Sequence, residues 1–331
     1  MRRVKFQIIL FLGAISLSIC AQDNYIRFHS INLEDGLSHS LVSSFLEDDL
    51  GFMWFGTQDG LNRYDGYEFK VYQAGKSKHT PSKNWITDIY KDHFNQIWIY
   101  YEGKGLDRFD PLHEVFHTYK PDSLKPGSIS SDSYYGIHSF NYSVFFEDSD
   151  SNLWIGTDKG LNKYIRKNDR FEHFRHDPRD PNSLTDDRVI TMAEDHENKL
   201  WIGTDNGLNR FDPLTGRSTR FLPDPDNPNS LKDSTITDIL VSSDTCVWVG
   251  TERGGLHIIE YAYGADYRIS NLISEPLNVN LVPTVYKIYK TQRGKILVGT
   301  IQGLYQIKKV DGSFRASLFP EMRNIRIDHI V

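Results

Sequence analysis

The strongest constraint on the fold is a stretch of about a dozen residues that recurs along the chain. "LWIGTDNGLNRF" at 200–211 nearly repeats "LWIGTDKGLNKY" at 153–164. Four looser copies lie at 53–65, 97–110, 247–259 and 296–307. The aligned positions are spaced by 44, 56, 47, 47 and 49 residues, and they are Trp54, Trp98, Trp154, Trp201, Trp248 and Leu297. A period in the mid-forties made of short strands is typical of a β-propeller blade.

Each repeat divides into four predicted strands. An apolar run such as "DRVITMAED" comes first, and a polar turn leads to "LWIGT". A D-N-G or D-K-G turn supplies positive φ for a tight hairpin into "GLNRFD", and a looser outer strand such as "STRFLPD" follows. We therefore predict an all-β fold, a β-propeller of four-stranded blades with six complete repeats and the edge strands of an incomplete seventh.

Both ends of the sequence contribute to the prediction of a seventh blade. "YIRFHSI" at 25–31 reads as a fourth strand without a third, and "NIRIDHIV" at 324–331 reads as a first strand. The expectation is that the sequence is a fragment of a longer protein or a prematurely ended reading frame.

Residues 1–21 have the layout of a secretory signal peptide, and residues 22–331 would form the propeller. Basic residues precede an apolar run from Phe6 to Ile19, and small residues surround Ala21. The alternative is a lipoprotein signal ending at Cys20. The sequence contains two cysteines, and cleavage near Ala21 would remove Cys20 and leave only Cys246, so no internal disulfide is expected. The predicted location is the periplasm.

Charge and motifs exclude several classes of function. Lysine and arginine number 38 against 44 acidic residues, a net charge of -6, and no basic stripe suits nucleic acid. The histidines lack the spacing of a metal site, and "DSDSN" at 148–152 departs from a calcium loop at Leu153 and Lys159. We predict no metal, no cofactor and no catalytic residues.

Several spaced motifs resemble one known family. "NxxITxIxED", "LWIGTxxGLNRFD" and "HDPxDPNSL" look like the two-component regulator propeller repeat, and residues 28–72 are similar to the usual first blade of such sensors. The resemblance implies the periplasmic sensor region of a hybrid two-component system that detects an oligosaccharide. The resemblance also implies that the full-length sensor is a homodimer. In that family a membrane helix and a histidine kinase lie C-terminal to the propeller, outside this sequence.

A ligand site is expected where the repeat departs from its own pattern. The second copy has Tyr100 and Tyr101 in place of Gly-Thr, and Trp85 lies at the entry of its first strand. The corresponding entry position is Arg188 in the fourth copy, and an insertion of roughly nine residues in the third copy adds Tyr134 and Tyr135. Aromatic rings with polar groups suit the faces and hydroxyls of a sugar. We predict that these six residues line a glycan-facing surface.

Three alternatives remain open at this point. The aromatic residues pack an irregular blade and bind nothing, or the propeller is an enzyme such as a lyase or glycosidase, or it binds a protein and no sugar. Turnover of an oligosaccharide would identify the enzyme.

Overall fold

The computed structural model describes residues 31–75, 79–133, 144–243, 245–261, 267–273, 284–311, 313–323 and 325–327. One compact unit is Asn32–Val331, and every strand lies within it. Of the other unit, Met1–Ile31, one residue is described. The predicted signal peptide and most of the proposed N-terminal strand at 25–31 therefore lie outside the described residues.

Within these described ranges, twenty-four strands form six antiparallel sheets of four, and in each sheet the strands follow chain order. Blade 1 contains β1 (Val42–Glu47), β2 (Met53–Thr57), β3 (Gly60–Tyr64) and β4 (Phe69–Tyr72). Blade 2 contains β5 (Ile86–Lys91), β6 (Ile97–Tyr101), β7 (Leu106–Asp110) and β8 (Val115–Tyr119). Blade 3 contains β9 (Phe145–Glu147), β10 (Leu153–Thr157), β11 (Gly160–Ile165) and β12 (Arg170–Phe174).

The second half of the unit repeats this arrangement. Blade 4 contains β13 (Val189–Glu194), β14 (Leu200–Thr204), β15 (Gly207–Asp212) and β16 (Arg217–Phe221). Blade 5 contains β17 (Ile236–Ser243), β18 (Cys246–Thr251), β19 (Leu256–Tyr261) and β20 (Tyr267–Ile273). Blade 6 contains β21 (Val285–Lys290), β22 (Ile296–Thr300), β23 (Gly303–Val310) and β24 (Ser313–Leu318). The prediction of an all-β propeller with four-stranded blades is confirmed.

The repeated tryptophan is a packing residue in every blade that carries it. Five of the six tryptophans are at most 1% exposed, namely Trp54, Trp98, Trp154, Trp201 and Trp248. In blades 1 to 4 the indole Nε1 donates to an aspartate six residues earlier, as from Trp154 to Asp148 Oδ2 at 2.8 Å. The other oxygen of Asp148 accepts backbone N–H groups from the turn. The acidic residues that end the first strands therefore satisfy both a turn and a buried indole.

Five buried clusters fill the spaces between successive blades, and each combines residues of one blade with residues of the next. Between blades 3 and 4, for example, Trp154 and Leu161 pack with Val189, Met192 and Phe211. Because each cluster belongs to two blades, no blade buries its apolar surface alone.

The glycine that follows the tryptophan allows this close packing. A Cβ added at Gly203 would lie 2.6 Å from Ile236 Cγ2 of the next blade, and one at Gly250 would lie 2.6 Å from Val285 Cγ1. In blade 6 a Cβ added at the same position, Gly299, would lie 2.5 Å from the carbonyl oxygen of Ile327. Residues 325–327 thus lie where a following first strand would begin, but these three residues form no strand.

Replacing Gly250 with alanine is expected to lower the free energy of unfolding by about 1–3 kcal/mol, because the new methyl group overpacks the space occupied by Val285. Gly75 is the matched control, since a Cβ there would meet nothing closer than 3.7 Å. Urea unfolding of both variants checks the prediction. Equal midpoints for Gly250→Ala and the unmodified protein would contradict it.

Blade 1 lacks a preceding blade among the described residues, and its first strand shows this. Phe45 is 55% exposed, whereas the corresponding residues of blades 2, 4, 5 and 6 are 3–8% exposed, namely Ile89, Met192, Ile239 and Ile288. Their burial in those blades therefore comes from the neighbouring blade.

In blades 1 to 5 a buried polar residue of the third strand fixes the connector that enters the blade. Asn162 Oδ1 accepts the backbone N–H of Ser130 at 2.9 Å, and Asn209 Oδ1 accepts that of Thr185 at 2.8 Å. Asn62 does the same in blade 1, Asp107 in blade 2 and His257 in blade 5. The connectors are thereby held at the edge of the propeller where the candidate site lies.

Candidate functional site

The candidate site is the edge at which the connectors meet the hairpins between second and third strands. In blades 1, 2, 4, 5 and 6 the residue immediately before the first strand lies at this edge. We call this set the entry surface, and its members are Leu41, Trp85, Arg188, Thr235 and Thr284. Asn141, which the sequence repeat aligns with these residues in blade 3, lies outside the described residues.

Backbone hydrogen bonds fix the entry surface from both sides. The hairpin glycine of one blade donates to the residue that precedes the next entry position, from Gly60 to Asn84 at 2.9 Å and from Gly160 to Asp187 at 2.7 Å. The entry residue's own carbonyl accepts from its blade's hairpin, as when Glu102 N–H donates to Trp85 O at 2.9 Å. Because these bonds use only the backbone, the side chain at the entry position is free to differ from blade to blade.

Trp85 differs from the other five tryptophans. Its side chain is on the entry surface, and the residue is 47% exposed. Leu41, the entry residue of the preceding blade, is also 47% exposed. An exposed indole face of this kind can stack on the apolar face of a sugar ring.

Arg188 lies on the same surface in blade 4. Its guanidinium Nη1 lies 2.7 Å from Asp205 Oδ2, and both side chains are about one third exposed. The ion pair orients a planar donor toward the entry edge while leaving part of it accessible to a ligand.

An acidic position that is not among the predicted site residues lies beside the entry surface. The residue after the Gly-Thr pair, or after Tyr100–Tyr101 in blade 2, is half-buried and acidic in four successive blades. These residues are Glu102, Asp158, Asp205 and Glu252. Their carboxylates are acceptors that suit sugar hydroxyls, and the signal in the sequence is the D or E of each "GTD", "GTE" or "YYE".

The structure does not place Tyr100 and Tyr101 on the entry surface, so their assignment to an exposed site is corrected. Tyr100 is fully buried, with its ring 5.2 Å from that of Phe145 and its hydroxyl donating to Gly156 O at 3.4 Å. The ring lies in the buried cluster between blades 2 and 3, together with Leu106, Val144 and Ile155. Here the departure from the repeat serves packing.

Tyr101 is also buried, at 1% exposure, and its hydroxyl donates to Asp107 Oδ2 at 2.8 Å. Burial, together with the nearby Asp107 carboxylate, raises the pKa of Tyr101 well above its ordinary value. Both groups are committed to each other, and neither is available to a ligand. Tyr134 and Tyr135, predicted on the same glycan-facing surface, lie outside the described residues.

Two further findings concern metals and membranes. Within the residues that the structure describes, no group of three or more His, Cys, Asp or Glu side chains could hold a metal ion. None of the helices in that part of the chain is long and apolar enough to span a bilayer.

Comparison with known proteins agrees with this architecture. The family described as "Two component regulator propeller" matches residues 36–59, 136–159 and 183–206. Over 75 residues the chain is 40% identical to "Histidine kinase P4" of Formosa agariphila, which corresponds to 23% of this chain and 5% of that protein.

Two solved structures share the fold. The extracellular domain of the putative hybrid two component system BT3049 from B. thetaiotaomicron aligns with a TM-score of 0.62 at 22% identity, covering 84% of this chain and 35% of that one. The corresponding domain of BT4673 aligns at 0.60 and 20% identity, covering 91% and 39%. The chain thus spans little more than a third of either solved domain. Together, the blade geometry and the solved structures show a β-propeller, and three of its segments are similar to the two-component regulator propeller family.

Proposed function

We propose that the chain is the extracytoplasmic ligand-sensing propeller of a hybrid two-component system, and that the entry surface binds an oligosaccharide. The observation that carries the proposal is Trp85, a large aromatic side chain that is exposed on an edge whose backbone is fixed by hydrogen bonds. The same edge carries the Arg188–Asp205 ion pair in blade 4. A sensor needs a rigid scaffold with a variable surface, and this edge provides both. The relatives that combine such propellers with kinases support the sensing role.

In this proposal the propeller carries out no chemistry. Binding of the glycan favours one arrangement of a sensor homodimer over another, and the membrane-attached kinase of the whole protein responds to that shift. Such a response requires that the ligand bind one arrangement more tightly than the other. The propeller belongs in the periplasm, where the glycan fragments arrive.

Replacing Trp85 with alanine is expected to weaken binding of the recognised oligosaccharide by about thirtyfold, the effect of a hot-spot residue worth roughly 2 kcal/mol. A glycan array identifies the ligand, and titration calorimetry measures its dissociation constant. Tyr67→Ala is the control, because Tyr67 is 93% exposed in the hairpin between β3 and β4, away from the entry edge. Unchanged affinity in Trp85→Ala would exclude the entry surface as the site.

Chromatography of the oligosaccharide after incubation with the chain separates sensing from catalysis. The sensor leaves the oligosaccharide intact. Cleavage products that increase with time would replace the sensor proposal with a propeller enzyme.

A further inference from the structure

A cavity of about 260 Å³ lies in the outer half of blade 4. Lys199, Asp212, Arg217 and Thr219 contribute to its lining. These residues lie where β14 begins and β15 ends, which is the edge of the blade opposite to the entry surface. The cavity is therefore separate from the site proposed above.

Strand register explains why these side chains meet. Leu200 pairs with Phe211, so the preceding Lys199 lies beside Asp212, and Asp212 pairs with Arg217. Lys199 Nζ lies 3.0 Å from Asp212 Oδ1. Two residues further toward the entry edge, Arg210 pairs with Thr219, and this pair lies on the same face of the sheet as Asp212 and Arg217. Three strands thus present a continuous row of charged and hydroxyl groups.

This row is a departure from the repeat. The same three positions are Phe52, Asp65 and Glu68 in blade 1 and Gln96, Asp110 and Val115 in blade 2. In blade 6 they are Lys295, Lys308 and Arg315, which are all cationic. Among these four blades, blade 4 is the one in which an acidic residue, Asp212, lies between two basic residues, Lys199 and Arg217.

The charges in the cavity are largely compensated. Arg210 Nε lies 2.7 Å from Asp195 Oδ2 and its Nη2 lies 2.8 Å from Glu197 Oε2. Asp212 is held by Lys199. A free anion would compete with carboxylates already in place, whereas a hydroxyl group can both accept from a cation and donate to Asp212.

We infer that this cavity is a second saccharide-contacting site, which takes one uncharged sugar ring through Lys199, Asp212, Arg217 and Thr219. Its volume lies just below the roughly 300–1,000 Å³ of pockets that enclose drug-sized ligands, which fits a single ring. The inference rests on the proposed function only in taking the ligand to be a saccharide. A long glycan would then have a contact on each of two edges of the propeller.

Saturation-transfer NMR on the full chain tests the site, with the methyl glycosides of glucose, galactose and mannose as probes and sodium sulfate as an anionic probe. At least one glycoside is expected to bind. Arg217→Ala and Asp212→Asn are each expected to weaken its binding by about tenfold or more, because a charged hydrogen bond is lost. Arg315→Ala, at the matching position of blade 6, should leave this binding unchanged. Thermal melting verifies that each variant is folded.

The possible results separate the two sites. Glycoside binding that survives both Arg217→Ala and Asp212→Asn overturns the second site, as does binding of sulfate without any glycoside or the absence of all glycoside binding. Oligosaccharide binding that is lost in Trp85→Ala and kept in Arg217→Ala overturns the second site and leaves the entry surface standing. Loss in Arg217→Ala alone supports the second site and removes the entry surface.

Discussion

Replacing Trp154 with alanine is expected to lower the free energy of unfolding by about 3–5 kcal/mol, the usual cost of removing a large aromatic side chain from a core. The residue is fully buried, and it packs with Phe174 and Phe211 at centroid distances of 5.8 and 5.7 Å. Its loss also leaves Asp148 Oδ2 without the indole donor. Denaturant unfolding followed by circular dichroism measures the change.

Trp85→Ala is the control for this experiment, since it removes the same side chain from an exposed position. Its effect on stability is expected to stay within about 0.5 kcal/mol, as for other surface substitutions. If both variants lost similar stability, Trp85 would be a packing residue, and the entry surface would lose its central aromatic group.

Replacing His257 with asparagine is expected to remove part of the protein's sensitivity to acid. Burial is the main cause that lowers the pKa of His257 from 6.5 to about 4, and the positive charge of Lys232 adds to it. His257 Nε2 accepts the backbone N–H of Lys232 at 2.9 Å, so protonation of this nitrogen breaks the hydrogen bond that holds the connector. Asparagine performs the same task in blades 1, 3 and 4 without titrating.

The sign of the effect follows from proton binding. Between pH 6.5 and pH 4 the unfolded chain binds a proton at His257 that the folded protein excludes, so stability falls as the pH falls through this window. The loss attributable to His257 is on the order of 3 kcal/mol. Urea unfolding at a series of pH values measures the free energy of unfolding of both proteins. Between pH 6.5 and pH 4, His257→Asn should lose less of this free energy than the unmodified protein, by the same amount. Other titrating groups are common to both proteins, and parallel curves would contradict the assignment.

The repeat predicted the fold because the same physical problem recurs in every blade. A tryptophan and a glycine that recur every 44 to 56 residues indicate one kind of interface that is used many times. The turn residues between the predicted strands then indicate where each strand begins and ends. The pairing of Trp154 with Asp148 was also present in the sequence, as an aspartate six residues before the tryptophan in four copies. The sequence does not reveal the bond to the indole, because an aspartate at this place also suits the turn that follows.

The site was less predictable, and Tyr100 shows why. A residue that breaks a repeat signals either a ligand or a changed neighbour, and the sequence does not distinguish these cases. The deciding fact is that Tyr100 is buried against Phe145 of the next blade, which becomes visible only in the folded structure. The row of Lys199, Asp212 and Arg217 was missed for a related reason, because its members come from three strands and meet only through register.

The glycine contacts between blades also have a consequence for how such chains evolve. Gly203 meets Ile236 in the way that Gly250 meets Val285, so the interfaces of the blades that carry this glycine have the same form. Duplication or deletion of one such repeat in the gene therefore keeps the packing interface between neighbouring blades and changes only the number of blades. A new binding surface can then arise in one repeat, while the other repeats maintain the scaffold.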